Sequence, residues 1–343
     1  MIAATNGAGV PVDDTQTGAM ALEVAGLHVN FHTRRGTVEA ATDVDLHVRS
    51  GEVLALLGES GSGKSVTARA IMGLLRGRGV EVGADVLRLG DTDLRGLDDR
   101  AMAGIRGERL SLVFQDALSA LNPVHTIGQQ IGEMFRVHRG ATRKEAKEQA
   151  IDLLRMVGIP SPERRVDDHP HQFSGGMRQR ILIAIGIALR PDVLIADEPT
   201  TALDVTVQAQ VLELLDRLRD ELGMALVLIT HDLGVVAKVA DRVAVMYAGR
   251  IVETATTAQI FDGPAHPYTE ALLRSVPRLS RADDELSAIP GAPPSPTAKP
   301  SGCAFHPRCH RRIAPCDTDR PLLEPLPGNR ASACHVKEEM LDA

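Results

Sequence analysis

The stretch Gly58-Glu59-Ser60-Gly61-Ser62-Gly63-Lys64-Ser65 constrains this chain more than any other. It fits G-x-x-x-x-G-K-[ST], a loop whose backbone N–H groups wrap a chain of phosphates. Glycines let phosphate oxygens approach the main chain closely and supply left-handed backbone where the loop turns. Lys64 offers a compact positive charge to the β- and γ-phosphates, and the Ser65 hydroxyl is a ligand for Mg²⁺. The flanks agree. Val53-Leu54-Ala55-Leu56-Leu57 is a continuous apolar run, as in a strand buried on both faces. Ser65-Val66-Thr67-Ala68-Arg69-Ala70-Ile71-Met72 then reads as a helix whose positive N-terminal end meets the phosphates. Strand, phosphate loop and helix in succession point to an α/β fold.

At 343 residues the chain holds one large domain with a small appendage, or two medium domains. Its formal charge of −7 and aromatic content of 2% argue against a nucleic-acid surface, which wants a basic stripe and stacking rings. No apolar run reaches the ~18 residues of a membrane span. The longest, 181–189, sits between Arg180 and Arg190. Residues 1–20 are small, polar and acidic, without the charged and apolar regions of a secretory signal, and read as a disordered leader. The expectation is a cytosolic protein that reaches a membrane through a partner. All four cysteines, Cys303, Cys309, Cys316 and Cys334, lie after residue 300. In a reducing compartment that clustering suggests a metal or cluster site rather than crosslinks.

Along the chain, residues 22–31 and 38–48 alternate apolar and polar, as half-buried antiparallel strands do. Ser50-Gly51 turns into the phosphate-loop strand. Ser111-Leu112-Val113-Phe114 is a second apolar strand, with Gln115 just past its end, where open α/β sheets bind ligands. Thr142-Arg143-Lys144-Glu145 is a capping box. It opens a helix with Ala146, Ala150, Leu153, Leu154 and Val157 on one face, stopped by Gly158 and Pro160. Ser174-Gly175-Gly176 opens the apolar helix 181–189, either as an ordinary cap or as a second anion site. Val193-Leu194-Ile195-Ala196 is a third buried strand and runs into Asp197-Glu198. Adjacent carboxylates at such an edge are costly unless they hold a cation or move protons. Ala225-Leu226-Val227-Leu228-Ile229-Thr230 ends in His231 at the same kind of edge.

Over roughly residues 22–253 these pieces resemble the ATP-binding cassette (ABC) ATPases. The motifs stand in the family's order: the phosphate loop, Gln115, Phe173-Ser174-Gly175-Gly176-Met177-Arg178-Gln179-Arg180, Leu194-Ile195-Ala196-Asp197-Glu198-Pro199 and His231. The resemblance implies a nucleotide-binding fold with an antiparallel β subdomain and a helical subdomain at about 116–180, within a cassette at 21–265. It implies that Gly58, Ser60, Gly61, Gly63, Lys64, Ser65 and Val66 hold the triphosphate of ATP. Ser65, Gln115 and Asp197 would bind Mg²⁺, Glu198 would act as general base, and His231 would contact the γ-phosphate. Ser174, Gly175, Gly176 and Asp204 would belong to a dimer interface, closing on ATP bound to a partner subunit. The family usually has an aromatic ahead of the phosphate loop to stack on adenine; Phe31 is the candidate, although the aligned position is Arg35, and the favoured reading of Phe31 is a core residue.

Within that family the chain is similar to the ATPases of oligopeptide and dipeptide importers. The cues are Gly36-Thr37-Val38-Glu39-Ala40, Phe114-Gln115-Asp116-Ala117-Leu118-Ser119-Ala120-Leu121-Asn122-Pro123 and His266-Pro267-Tyr268-Thr269. Ala117 stands where the family usually has Pro, and Phe173 where Leu is more usual. The implied partners are a second ATPase subunit (identical or a paralogue), two transmembrane permease subunits and an extracytoplasmic substrate-binding protein, with the chain peripheral on the cytoplasmic face. Nickel import is the alternative within the family. A soluble ABC ATPase is the alternative of another class, and a phosphate-loop kinase or GTPase is a third that leaves Ser174-Gly175-Gly176 without a role.

Residues 266–343 resemble the C-terminal extension of the same importers, entered through the Pro-rich connector 289–296. A tail this short builds little core, and four ligands to one centre would staple it. The cysteine spacings are not C-x-x-C, so a zinc ribbon is not indicated. Some members of the importer family carry a [4Fe–4S] cluster here, which four thiolates suit. Cluster, zinc and unliganded thiols all stay open.

Overall fold

The structure is a computed structural model that describes residues 18–341 except 35, 202 and 276–288. Position 35 and most of the expected leader therefore lie outside the described residues. In chain order the elements begin with strands β1 (Met20–Thr33), β2 (Gly36–Arg49) and β3 (Val53–Leu57), helix α1 (Lys64–Ile71), then β4 (Val80–Gly83), β5 (Val86–Leu89) and β6 (Thr92–Asp93). Next come α2 (Asp99–Ile105), β7 (Leu110–Val113), α3 (Ala117–Ala120), α4 (Ile127–Arg139), α5 (Arg143–Met156), α6 (Pro162–Arg165) and α7 (Gly175–Ile187). They are followed by β8 (Val193–Asp197), α8 (Val205–Leu222), β9 (Ala225–Thr230) and α9 (Leu233–Val239). The rest are β10 (Arg242–Tyr247), β11 (Arg250–Thr256), α10 (Thr257–Asp262), α11 (Pro267–Arg274), β12 (Glu324–Leu326), β13 (Arg330–Ser332) and α12 (Lys337–Leu341). The described residues fall into two compact units, one within Met1–His47, Val53–Arg95 and Thr230–Ala343, the other within Val48–Glu52 and Gly96–Ile229.

The first unit carries the alternating strands expected from the sequence. β1 pairs antiparallel with β4 and β5, with His28 opposite Gly83 and Leu22 opposite Leu89. β2 lies on the other side of β1. Phe31, half-buried near the end of β1, stands opposite Val80. A second group of strands runs β12-β13-β11-β10-β3. Here β10 is parallel to β3, with Val243 opposite Ala55, while β11 and β13 pair antiparallel. Every residue of β3 and β10 is buried, the pattern of strands covered on both faces. The tail thus adds β13 and β12 to the edge of this group. It also completes the core: Phe305 packs with Leu57, Val245, Tyr247, Tyr268 and Leu272 in one cluster.

In the second unit β9, β8 and β7 are parallel, with Leu194 opposite Leu226 and Ser111. Pairing of β7 stops at Val113. The strand read as ending at Phe114 therefore ends one residue earlier, and Phe114 is 42% exposed. The capping box at Thr142 and Glu145 forms in both directions. The face of α5 named from the sequence is buried throughout, with Val157 following it. The apolar helix starts further back than its apolar run, at Gly175, and stops at Ile187, before Pro191. That shift follows from the cap, since Ser174 Oγ accepts the Met177 N–H at 3.4 Å.

Candidate nucleotide site

In the first unit, β3 delivers the chain to the phosphate loop and α1 leaves it at Lys64. Gly63 is the N-cap of α1 in the left-handed region, φ 110°, and no described side chain caps the helix. A glycine N-cap brings no side chain of its own to a helix N-terminus, the end of a helix that favours an anion. A Cβ at Gly63 would lie 2.6 Å from the Ala40 carbonyl oxygen, so the position is closed to any other residue. Lys64 is buried, and its Nζ donates to the Gly58 oxygen at 2.7 Å and the Glu59 oxygen at 2.9 Å. Those bonds hold the ammonium over its own loop. Ser60 and Gly61 are exposed, and Ser65 and Val66 are half-buried at the start of α1. His231, also exposed, follows β9, and Asp232 Oδ1 caps α9 by accepting the Gly234 N–H at 2.7 Å.

Two side chains that the sequence reading left out reach this loop. The Tyr268 hydroxyl accepts the Glu59 N–H at 2.9 Å, and burial pushes its pKa up. Arg308, from the cysteine-bearing tail, donates to both carboxylate oxygens of Glu59, at 2.7 and 3.0 Å. That ion pair raises the Arg308 pKa and outweighs the opposing effect of burial. The only signal in the sequence was that each sits in a recognisable short motif, His266-Pro267-Tyr268-Thr269 and Cys303-Ala304-Phe305-His306-Pro307-Arg308-Cys309.

The second unit brings together Gln115, at the end of β7, and the carboxylates at the end of β8. Asp197 is buried. Glu198 lies in left-handed backbone at φ 47°, a conformation costly for a residue with a side chain and one that clusters at active sites. Its Oε2 accepts from Gln115 Nε2 at 2.9 Å and from the Thr201 hydroxyl at 2.9 Å. With the Gln115 nitrogen donating, its amide oxygen faces elsewhere and remains a suitable donor atom for a hard cation. Ser174 caps α7, and Asp204 caps α8 through Oδ1 to the Val207 N–H at 2.9 Å. A Cβ on Gly176 would stand 2.4 Å from Val207, so this glycine lets α7 and α8 pack.

Comparison with known proteins gives this arrangement a family. A model described as ABC transporter matches residues 41–201, and one described as oligopeptide/dipeptide transporter, C-terminal region, matches residues 252–316. The dipeptide transport ATP-binding protein DppD of Bacillus subtilis is 50% identical over 296 residues, covering 86% of this chain and 88% of its own. The chain belongs to the ABC transporter ATP-binding proteins. A Brucella melitensis protein provisionally named a peptide import ATP-binding protein is 49% identical over 324 residues, 91% of this chain and 96% of that one. Among solved structures, the ATP-binding cassette MJ0796 in a dimeric post-hydrolysis state with ADP and Pi gives a TM-score of 0.60 at 28% identity. The match covers 69% of this ABC protein and 98% of that cassette. The expected α/β cassette fold is therefore present, and this ABC protein is an ATPase. No helix among its described residues is long and apolar enough to cross a membrane.

Proposed function

We propose that this ABC ATPase powers import of oligopeptides or dipeptides across the cytoplasmic membrane, by closing on ATP and reopening after hydrolysis. The observation that carries the reading is one chain holding both a complete phosphate loop and the oligopeptide/dipeptide transporter C-terminal region. Its domains are taken as the cassette at 21–265, with a helical subdomain at about 116–180, and the extension at 266–343. Lys64 and the amides of Gly58, Ser60, Gly61, Gly63, Ser65 and Val66 bind and orient the triphosphate. Oxygen donors from Ser65, Gln115 and Asp197 suit Mg²⁺, which when bound neutralises charge on the phosphates. Glu198 takes a proton from the attacking water, and its hydrogen bonds from Gln115 and Thr201 aim it. His231 orients the γ-phosphate. Ser174, Gly175, Gly176 and Asp204 serve the face turned to a second cassette, so that ATP joins two subunits.

The partners in this reading are a second ATPase subunit, two transmembrane permease subunits and an extracytoplasmic substrate-binding protein, with the chain peripheral on the cytoplasmic face. Reconstituting the chain with these subunits in vesicles tests it. Peptide uptake should require ATP and the binding protein. Uptake of nickel but not peptide, or stable assembly with no membrane subunit, would overturn it.

The cysteines enter the same reading. Among the described residues no group of three or more His, Cys, Asp or Glu is arranged to hold a metal ion, so the arrangement supports neither zinc nor a cluster. The thiols are nevertheless neighbours. Cys303 N–H donates to the Cys316 oxygen at 2.9 Å. Burial pushes the Cys334 thiol up to about 12, and the charges of Cys303, Cys309 and Cys316 push it the same way. What supports a [4Fe–4S] cluster is the chemistry of the donor set alone, four thiols in one short tail. Bound, it would crosslink a tail poor in core, with Cys303, Cys309, Cys316 and Cys334 as ligands. Protein purified without oxygen should absorb at about 400 nm and contain iron and sulfide. Colourless protein without iron, or with stoichiometric zinc, would remove the cluster.

A further inference from the structure

Glu59 poses an electrostatic problem: a carboxylate in the loop that must receive the most highly charged part of ATP. Like charges at such range disfavour each other, and a partly dry site screens them weakly. The tail supplies the opposite charge. Arg308 grips Glu59 with two nitrogens, and its side chain is 5% exposed against 24% for Glu59. The guanidinium is itself fixed, since Nε donates to the Pro290 oxygen at 2.8 Å and Nη1 to the Tyr247 hydroxyl at 3.3 Å. Its backbone is anchored too. The Arg308 N–H donates to Phe305, and the Phe305 ring meets Tyr247 edge-on, with centroids 5.3 Å apart. The Glu59 main chain is held in turn by Tyr268, whose ring packs on both Tyr247 and Phe305.

We propose that Arg308 is a positioning residue for ATP: it neutralises Glu59 and holds that carboxylate away from the phosphates, making nucleotide affinity depend on the folded C-terminal tail. The inference rests on ATP binding at the phosphate loop. A planar, permanently charged fork suits a bidentate carboxylate grip better than an ammonium does.

The test is equilibrium binding of MgATP to the full chain, with thermal unfolding as the check on folding. Arg308→Met should weaken binding about tenfold, the scale of one uncompensated charge near a bound anion. Arg308→Lys should restore part of the loss. The double variant Arg308→Met with Glu59→Gln should recover to within about threefold of the parent, because the stranded charge is gone. A general structural role for Arg308 would leave the double variant as weak as the single. That result, or parent-like binding by Arg308→Met, overturns the proposal. If Arg308→Met does not fold, the same comparison is made with Arg308→Lys, alone and with Glu59→Gln. Lys64→Ala separates the two readings. Loss of binding there with none in Arg308→Met removes only the role of Arg308, whereas parent-like binding by Lys64→Ala removes the site.

Discussion

Replacing Glu198 by Gln should leave ATP bound and uncleaved, with turnover of the assembled transporter falling about 10²–10⁴-fold, the worth of a positioned general base. The substitution keeps shape and the acceptor for Gln115 and Thr201 but removes the ability to take a proton from water. Glu198 stands in left-handed backbone right after the buried Asp197, so its carboxylate is placed by main-chain geometry as well as by its two donors. Binding and hydrolysis should therefore separate: parent-like affinity, a stalled chemical step, and a nucleotide-dependent dimer that persists. A variant hydrolysing ATP at the parent rate would remove Glu198 as the base.

The second large effect is on binding itself. On the proposed role of Lys64, Lys64→Ala should weaken MgATP affinity about 100-fold or more, the worth of a charge-assisted hydrogen bond to the phosphates in a partly dry site. Lys64 donates to two carbonyls of its own loop, which fixes the ammonium over the turn. Removing it also unties the loop, so both direct contact and loop order are lost. A nucleotide titration with a parent-like dissociation constant would take Lys64 out of the clamp.

Much of this was legible because it is local. The β3–loop–α1 unit announces itself through an apolar run, spaced glycines and a lysine within a dozen or so residues. The capping box at Thr142 likewise needs only the residue three positions on. Boundaries moved where a local signal competed with a longer-range one. β7 ends at Val113, where its pairing with Ala196 of β8 stops, whatever the apolar character of Phe114. Sequence could not show the pairing of Glu59 with Arg308, which are 249 residues apart, or that Tyr268 in an importer-type motif holds the phosphate loop. Both are products of tertiary packing around Phe305 and Tyr247. Gln115 was legible as a polar residue at a strand end, but its hydrogen bond to Glu198 was not.

If each of two cassettes donates half of the pocket, the ATP site is complete only when a second cassette joins the first. Specific ATPase activity, measured together with the sedimentation state across subunit concentration, addresses it directly. Turnover per subunit should be low for the isolated chain and rise in step with the associated fraction, whether the partner is another copy or a second ATPase subunit. Full-rate hydrolysis by a species that stays monomeric in ATP would contradict the account.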